Sequence, residues 1–170
     1  ENSYDQTRLS LAMHALETAA RLEPFEVATW IWLARAQLQA GQMDEAAISV
    51  EQILTLSPGN SDEAVLQAEI ALQNKSYQAA HDFAQTAVRA RPENPETTLL
   101  LAKTLKSLNR QDEALEVLES AIPVSKDPLR LQYERATLLR DLKGPAAALQ
   151  VLTKLVNDHP EDAKVLASLA

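Results

Sequence analysis

The sequence predicts an all-α chain of stacked helix–turn–helix units. Three observations carry that expectation: a repeat with a period of 34, prolines on the same grid, and apolar residues at helical spacing between them. Asp44-Glu45-Ala46-Ala47-Ile48 returns two periods later as Asp112-Glu113-Ala114-Leu115-Glu116, and Ala114-Leu115-Glu116-Val117-Leu118 returns one period later as Ala148-Leu149-Gln150-Val151-Leu152. Pro24, Pro58 and Pro92 are spaced by 34, and Pro160 stands on the same grid, which lapses once at Lys126.

The elements follow in order. A first helix is expected over 5–22. The second spans 27–40, where Gly and Pro are absent and Trp30, Leu33, Ala34 and Leu38 recur at helical spacing, until Gly41 supplies a left-handed residue that stops it. The third runs from 44 to 56. Asp44 and Glu45 put negative charge at the positive end of its dipole, and Ile48, Val50, Ile53 and Leu54 are expected to line its inner face. Pro58-Gly59-Asn60 closes that hairpin. Later helices start at a capping residue followed by proline, at Asn94-Pro95 and Asp127-Pro128, and Gly144-Pro145 reads likewise. Pro123 falls where a helix should still be running, removes an amide donor and clashes one turn back, so that helix is expected to end near Ala121. Residues 123–127 then form a longer linker, either a local change in twist or ordinary variation of a surface connection. Val165, Leu166 and Leu169 begin a further helix.

Composition excludes several functions. The chain has 170 residues, 24 Asp and Glu against 16 Lys and Arg, a net charge of −8, 46% hydrophobic residues and no cysteine. It can bury a core, whereas a disulfide framework, a thiol nucleophile or an iron–sulfur cluster has no ligands. An acidic balance argues against a nucleic-acid partner, and no apolar run approaches the roughly 20 residues needed to cross a bilayer. Gly41, Gly59 and Gly144 are isolated at turns, so no glycine-rich phosphate loop exists. His14, His81 and His159 are spread over three units without metal-ligand spacing; His14 and His81 are expected on the flanks of their helices. The pairs Asp44-Glu45, Asp62-Glu63, Asp112-Glu113 and Glu161-Asp162 recur at helix starts, which suits dipole and capping roles better than acid–base catalysis. Asn74-Lys75-Ser76 matches a glycosylation triplet that matters only in a secreted eukaryotic chain. No catalytic residue, cofactor or metal is expected.

Within residues 27–60, Trp30, Leu33, Ala34, Ala46, Val50 and Pro58 fall in order on the pattern of the tetratricopeptide repeat, and the chain resembles that family over essentially its whole length. The frame makes the eighth position Ala34, Ala68, Ala102, Ala136 and Ala170, and the twentieth Ala12, Ala46, Ala80, Ala114 and Ala148. Small residues belong where two helices cross closely. Gln67 and Arg135 at the seventh position, and Gln37, Ala71, Leu105 and Leu139 at the eleventh, depart from the pattern. The resemblance implies a right-handed superhelical α-solenoid with repeats at 27–60, 61–94, 95–128 and 129–162, the back half of a repeat at 1–26 and the start of another at 163–170. On that expectation the chain is a window on a longer array, with apolar faces open at either end and any targeting segment removed or outside it.

The resemblance also implies a concave groove that holds a peptide, lined by the second, fifth, ninth and twelfth positions of each front helix. These are Ala28, Ile31, Arg35 and Leu38; Asp62, Val65, Glu69 and Leu72; Glu96, Leu99, Lys103 and Lys106; and Arg130, Tyr133, Thr137 and Arg140. The fifth position is an apolar row, and Lys103, Lys106, Arg130 and Arg140 form a basic end against an acidic background, so the expected ligand is a segment with apolar anchors and an acidic portion. Alternatively the apolar row packs between helices and the cations form a solvated face. Ile31 and Arg35 replace the Lys and Asn with which chaperone-tail binders of this family clamp a terminal carboxylate, which disfavours that role. The expected function is a non-enzymatic scaffold or adaptor for another protein. Three alternatives stay open: a regulatory or substrate-recruiting section of a larger enzyme, a unit that self-associates through open ends, and a bacterial cell-envelope assembly or secretion factor. The Ala- and Gln-rich composition leans toward a bacterial, exported source.

Overall fold

A computed structural model describes residues 2–158, with side chains from residue 6 onward. The readings at His159, Pro160, Glu161, Asp162, Val165, Leu166, Leu169 and Ala170 lie outside the described residues. Among those described there are nine α-helices and no strand: α1 (Asn2–Leu22), α2 (Val27–Ala40), α3 (Met43–Leu56), α4 (Ser61–Gln73), α5 (Tyr77–Ala90), α6 (Pro95–Ser107), α7 (Gln111–Ala121), α8 (Pro128–Lys143) and α9 (Pro145–Asp158), with a 3-10 turn at Ile122–Val124. The chain divides into two compact units, residues 1–86 and 87–170.

The turn chemistry explains where the helices begin and end. Gly41 stops α2 with φ of 78°, and the two amides that follow the helix return to its last turn: Gly41 N–H donates to Leu38 O at 3.1 Å and Gln42 N–H to Gln37 O at 2.9 Å. The same repeat position carries Lys75 and Asn109, which also take the left-handed conformation, at φ of 59° and 58°. Asn60 and Asn94 cap α4 and α6 by accepting from the amides of Asp62 and Glu96, and Asp127 caps α8 by accepting from Arg130 N–H. Pro95, Pro128 and Pro145 each open a helix. Pro123 ends α7 at Ala121, and the chain crosses the linker as a 3-10 turn. The linker is then pinned to the earlier turn before α6: Lys126 N–H donates to Glu93 O at 2.9 Å, and Lys126 Nζ reaches Glu93 Oε1 at 3.1 Å. Glu93 is held below the usual carboxylate range, first by its own amide and then by Lys126.

The core of the first unit gathers Ala34 and Leu38 of α2, Ala46, Val50 and Ile53 of α3, and Leu66 of α4, with Val27, Trp30, Ile31, Met43 and Ile70 packed around them. One buried polar link crosses it: Ser49 Oγ donates to Gln37 Oε1 at 2.7 Å. In the second unit Leu101, Leu105, Leu118, Leu131, Leu138 and Leu155 are buried. The recurring alanines sit at the bottom of each hairpin. Ala34, Ala46, Ala68, Ala80, Ala102, Ala114, Ala136 and Ala148 are all buried, while Ala12 on α1 is exposed.

Two expectations about helix faces are corrected. Ile48 and Leu54 do not line the inner face of α3; they are 59% and 43% exposed. The buried face follows the spacing Ala46, Ser49, Val50, Ile53, and at 3.6 residues per turn Ile48 falls on the opposite side. His14 is exposed as expected, but His81 is buried rather than on a flank, with Nδ1 3.2 Å from Asp82 Oδ1.

Candidate partner-binding surface

Front-helix residues at the second, fifth, ninth and twelfth positions recur three or four apart along each helix, so each set forms a stripe. In the first unit, Ala28 on α2 is exposed, Ile31 and Arg35 are half-buried, and Leu38 belongs to the core. On α4, Asp62, Val65, Glu69 and Leu72 are half-buried. Arg35 Nη2 donates to Asp62 Oδ1 at 3.0 Å, tying α2 to α4, and its guanidinium lies 5.7 Å from the centre of the Trp32 ring. Trp32 is 59% exposed.

In the second unit, Glu96 and Lys103 on α6 are exposed, while Leu99 and Lys106 are half-buried. On α8, Arg130, Tyr133 and Arg140 stand toward solvent, and the Thr137 Oγ1 donates to Tyr133 O at 3.2 Å. The expected basic end is largely balanced by neighbouring carboxylates. Lys106 Nζ donates to Glu134 Oε1 at 3.0 Å, Arg130 Nη1 lies 3.7 Å from Glu96 Oε1, and Arg140 Nε lies 3.4 Å from Asp141 Oδ1. Such partly exposed pairs contribute about 0–1 kcal/mol each, so they orient side chains more than they stabilise the stack. Lys103 has no ion pair among the described residues.

Two family profiles match. One described as tetratricopeptide repeat covers residues 3–61, and one described as anaphase-promoting complex, cyclosome, subunit 3 covers residues 41–121. The chain is a tetratricopeptide-repeat protein. Among curated relatives this repeat protein is similar to Protein FlbA of Caulobacter vibrioides, 27% identical over 154 residues, which make up 91% of this chain and 25% of FlbA. The chain thus spans a quarter of that relative's length. Among solved structures it resembles TTC0263, a thermophilic TPR protein of Thermus thermophilus, at a TM-score of 0.77 and 19% identity, covering 98% of this chain and 91% of that one. It also resembles YrrB, described as a TPR protein with an unusual peptide-binding site, at a TM-score of 0.65 and 18% identity over 91% of this chain and 79% of that one. At these identities the likeness to both structures is one of fold.

Sequence reasoning passed over three residues on this surface of the repeat protein. Glu134 and Asp141 lie outside the four groove positions, yet they offset Lys106 and Arg140. Trp32 sits beside Arg35 rather than in its stripe. One signal was available: Glu96 and Arg130 hold the same position in successive repeats, where opposite charges on adjacent front helices are set to meet. Among the described residues no group of three His, Asp or Glu side chains is placed to hold a metal ion, and no helix is long and apolar enough to cross a membrane.

Proposed function

We propose that the chain is a non-enzymatic protein-interaction scaffold that holds a partner segment along its front helices. The observation that carries this reading is the exposed row of the second unit, where Tyr133, 39% exposed, and half-buried Leu99 stand at the fifth position. One turn on from Leu99, Lys103 is free of ion pairs among the described residues. Tyrosine beside an aliphatic residue suits an apolar anchor on the partner, and Lys103 with Arg140 suits a carboxylate. The balancing of Lys106 and Arg130 by Glu134 and Glu96 points to few, placed acidic contacts rather than a diffuse attraction. Membership of the repeat family and the likeness to YrrB support a peptide ligand.

The test is a pull-down titration from the source organism with the parent chain and with Lys103→Glu combined with Arg140→Glu. The double variant should weaken the natural partner by about tenfold, the scale of one charge-assisted contact. Helicity and melting should stay as in the parent, because both side chains are exposed. Unaltered affinity overturns the assignment. A second reading, the recruiting section of a larger protein, draws on the likeness to FlbA, of which the chain spans 25%.

A further inference from the structure

Two neighbouring front helices of the second unit bring cations to the pair of positions where the first unit makes an ion pair. Arg35, at the ninth position of its repeat, reaches the Asp62 carboxylate at the second position of the next, 27 residues on, at 3.0 Å. On α6 and α8 the same two positions are Lys103 and Arg130, again 27 residues apart. The frame is unbroken between them, because the buried Ala102 and Ala136 keep the period of 34. A cation therefore stands where the first unit has its carboxylate, and the two side chains cannot pair. Arg130 turns instead toward Glu96, at 3.7 Å, and Lys103 is left without an ion pair among the described residues. Both cations are exposed. Their helices are packed within the chain, α6 against α7 and α8 against α7 and α9, so the mismatch belongs to the front face itself.

We propose that Lys103 and Arg130 together bind one side-chain carboxylate of an extended partner segment, in the place that the Asp62 carboxylate fills between α2 and α4. The proposal rests on the reading of the front helices as a partner-binding surface and specifies the acidic residue that surface takes. Charge decides the class of ligand. Of the four front-face cations on α6 and α8, Lys106, Arg130 and Arg140 each have a carboxylate neighbour, in Glu134, Glu96 and Asp141, which leaves one positive charge uncompensated. A single carboxylate cancels it, whereas a phosphoryl group brings a charge of about −1.5 to −2 and sets the excess against Glu96. Glu96 does not block the site, since 3.7 Å is long for a charge-assisted bond and leaves the Arg130 fork with donors to offer. The flanking residues set what accompanies the acid. Leu99 lies one turn before Lys103 and Tyr133 one turn after Arg130. In an extended segment, side chains two residues apart share a face at about 7 Å, so the carboxylate comes with an apolar residue two positions away.

The experiment selects a displayed library of random dodecapeptides on the full chain and then titrates the most enriched peptide. Enriched peptides should carry an Asp or Glu with an apolar residue two positions away. Selection on Lys103→Gln combined with Arg130→Gln should lose the acid and keep the apolar residue. Lys143→Gln combined with Lys154→Gln removes the same charge from exposed positions off the front stripe, and should keep both. Replacing the peptide's acid by Gln should weaken binding to the parent by about tenfold and leave binding to the Lys103 and Arg130 double variant unchanged. Peptides enriched without an acid, or an acid that survives the double variant, overturn this inference and leave the partner-binding surface standing. A selection that enriches nothing removes both. Tighter binding of a peptide with phosphoserine in the acid's place, or a dimer of the chain that the double variant abolishes, also overturns it, by giving the site to a phosphorylated partner or to a second copy.

Discussion

The third position of the four repeats is Thr29, Glu63, Thr97 and Leu131, and only in the second repeat does it bury a carboxyl group. Gln67 Nε2 donates to Glu63 Oε1 at 3.0 Å, but burial pushes the Glu63 pKa above its ordinary 4.5. The folded chain therefore binds this proton more tightly than the unfolded chain. The stability it contributes is complete below about pH 4.5 and is lost as pH rises through the folded value. Glu63→Gln should remove that loss: its melting temperature should match the parent's at about pH 4 and exceed it at neutral pH. Parallel melting curves across the range would refute this. Lys75 is the other residue whose chemistry opposes its place, since its φ of 59° is one that Gly41 adopts at no steric cost. Lys75→Gly should raise stability by about 0.5–1 kcal/mol in a denaturant titration. A loss would mean that the lysine side chain does more in that turn than its geometry suggests.

Helix boundaries were the most legible feature of the elements, because each depends on a neighbour in the sequence. The span 27–40 reappears as α2 residue for residue, and α7 ends at Ala121 as Pro123 requires. Helix faces were less legible where apolar residues outnumber inward positions. On α3, Ile48 and Leu54 are as hydrophobic as Ile53, and only the packing of α2 and α4 selects which of them turns in. The alanines were legible for the opposite reason, since a small residue recurring at one repeat position reports a close crossing directly. Ala46→Leu and Ala114→Leu should each over-pack their hairpin and cost about 1–3 kcal/mol in thermal or chemical unfolding. A neutral outcome would place slack at a crossing where both alanines have no exposed surface.

For the molecule as a whole, the period of 34 made the fold readable from one chain, and the same period conceals the site. A repeat frame assigns each front-helix position a direction, but it treats Lys106, Arg130 and Arg140 as a shared basic field because their partners Glu134, Glu96 and Asp141 come from other positions or other repeats. Each of these pairs is neutral, so the net charge of −8 resides on carboxylates outside them. Leu38 marks the same boundary from the apolar side, since a position that lines a groove in the repeat pattern here belongs to the core.

The one lapse in the proline grid acquires a cause from the link between Lys126 and Glu93. At Pro24, Pro58 and Pro92 the chain gives up a backbone donor, but at residue 126 that donor is in use, bonded to Glu93 O across the turn. A proline at 126 would abolish the bond. α7 is three residues shorter than α3 and α5, and α8 opens at Pro128, 33 residues after α6 opens at Pro95, while the buried Ala102 and Ala136 keep the period of 34. What spans the shortened helix here is an amide that proline lacks, bonded from the turn after α7 back to the turn before α6.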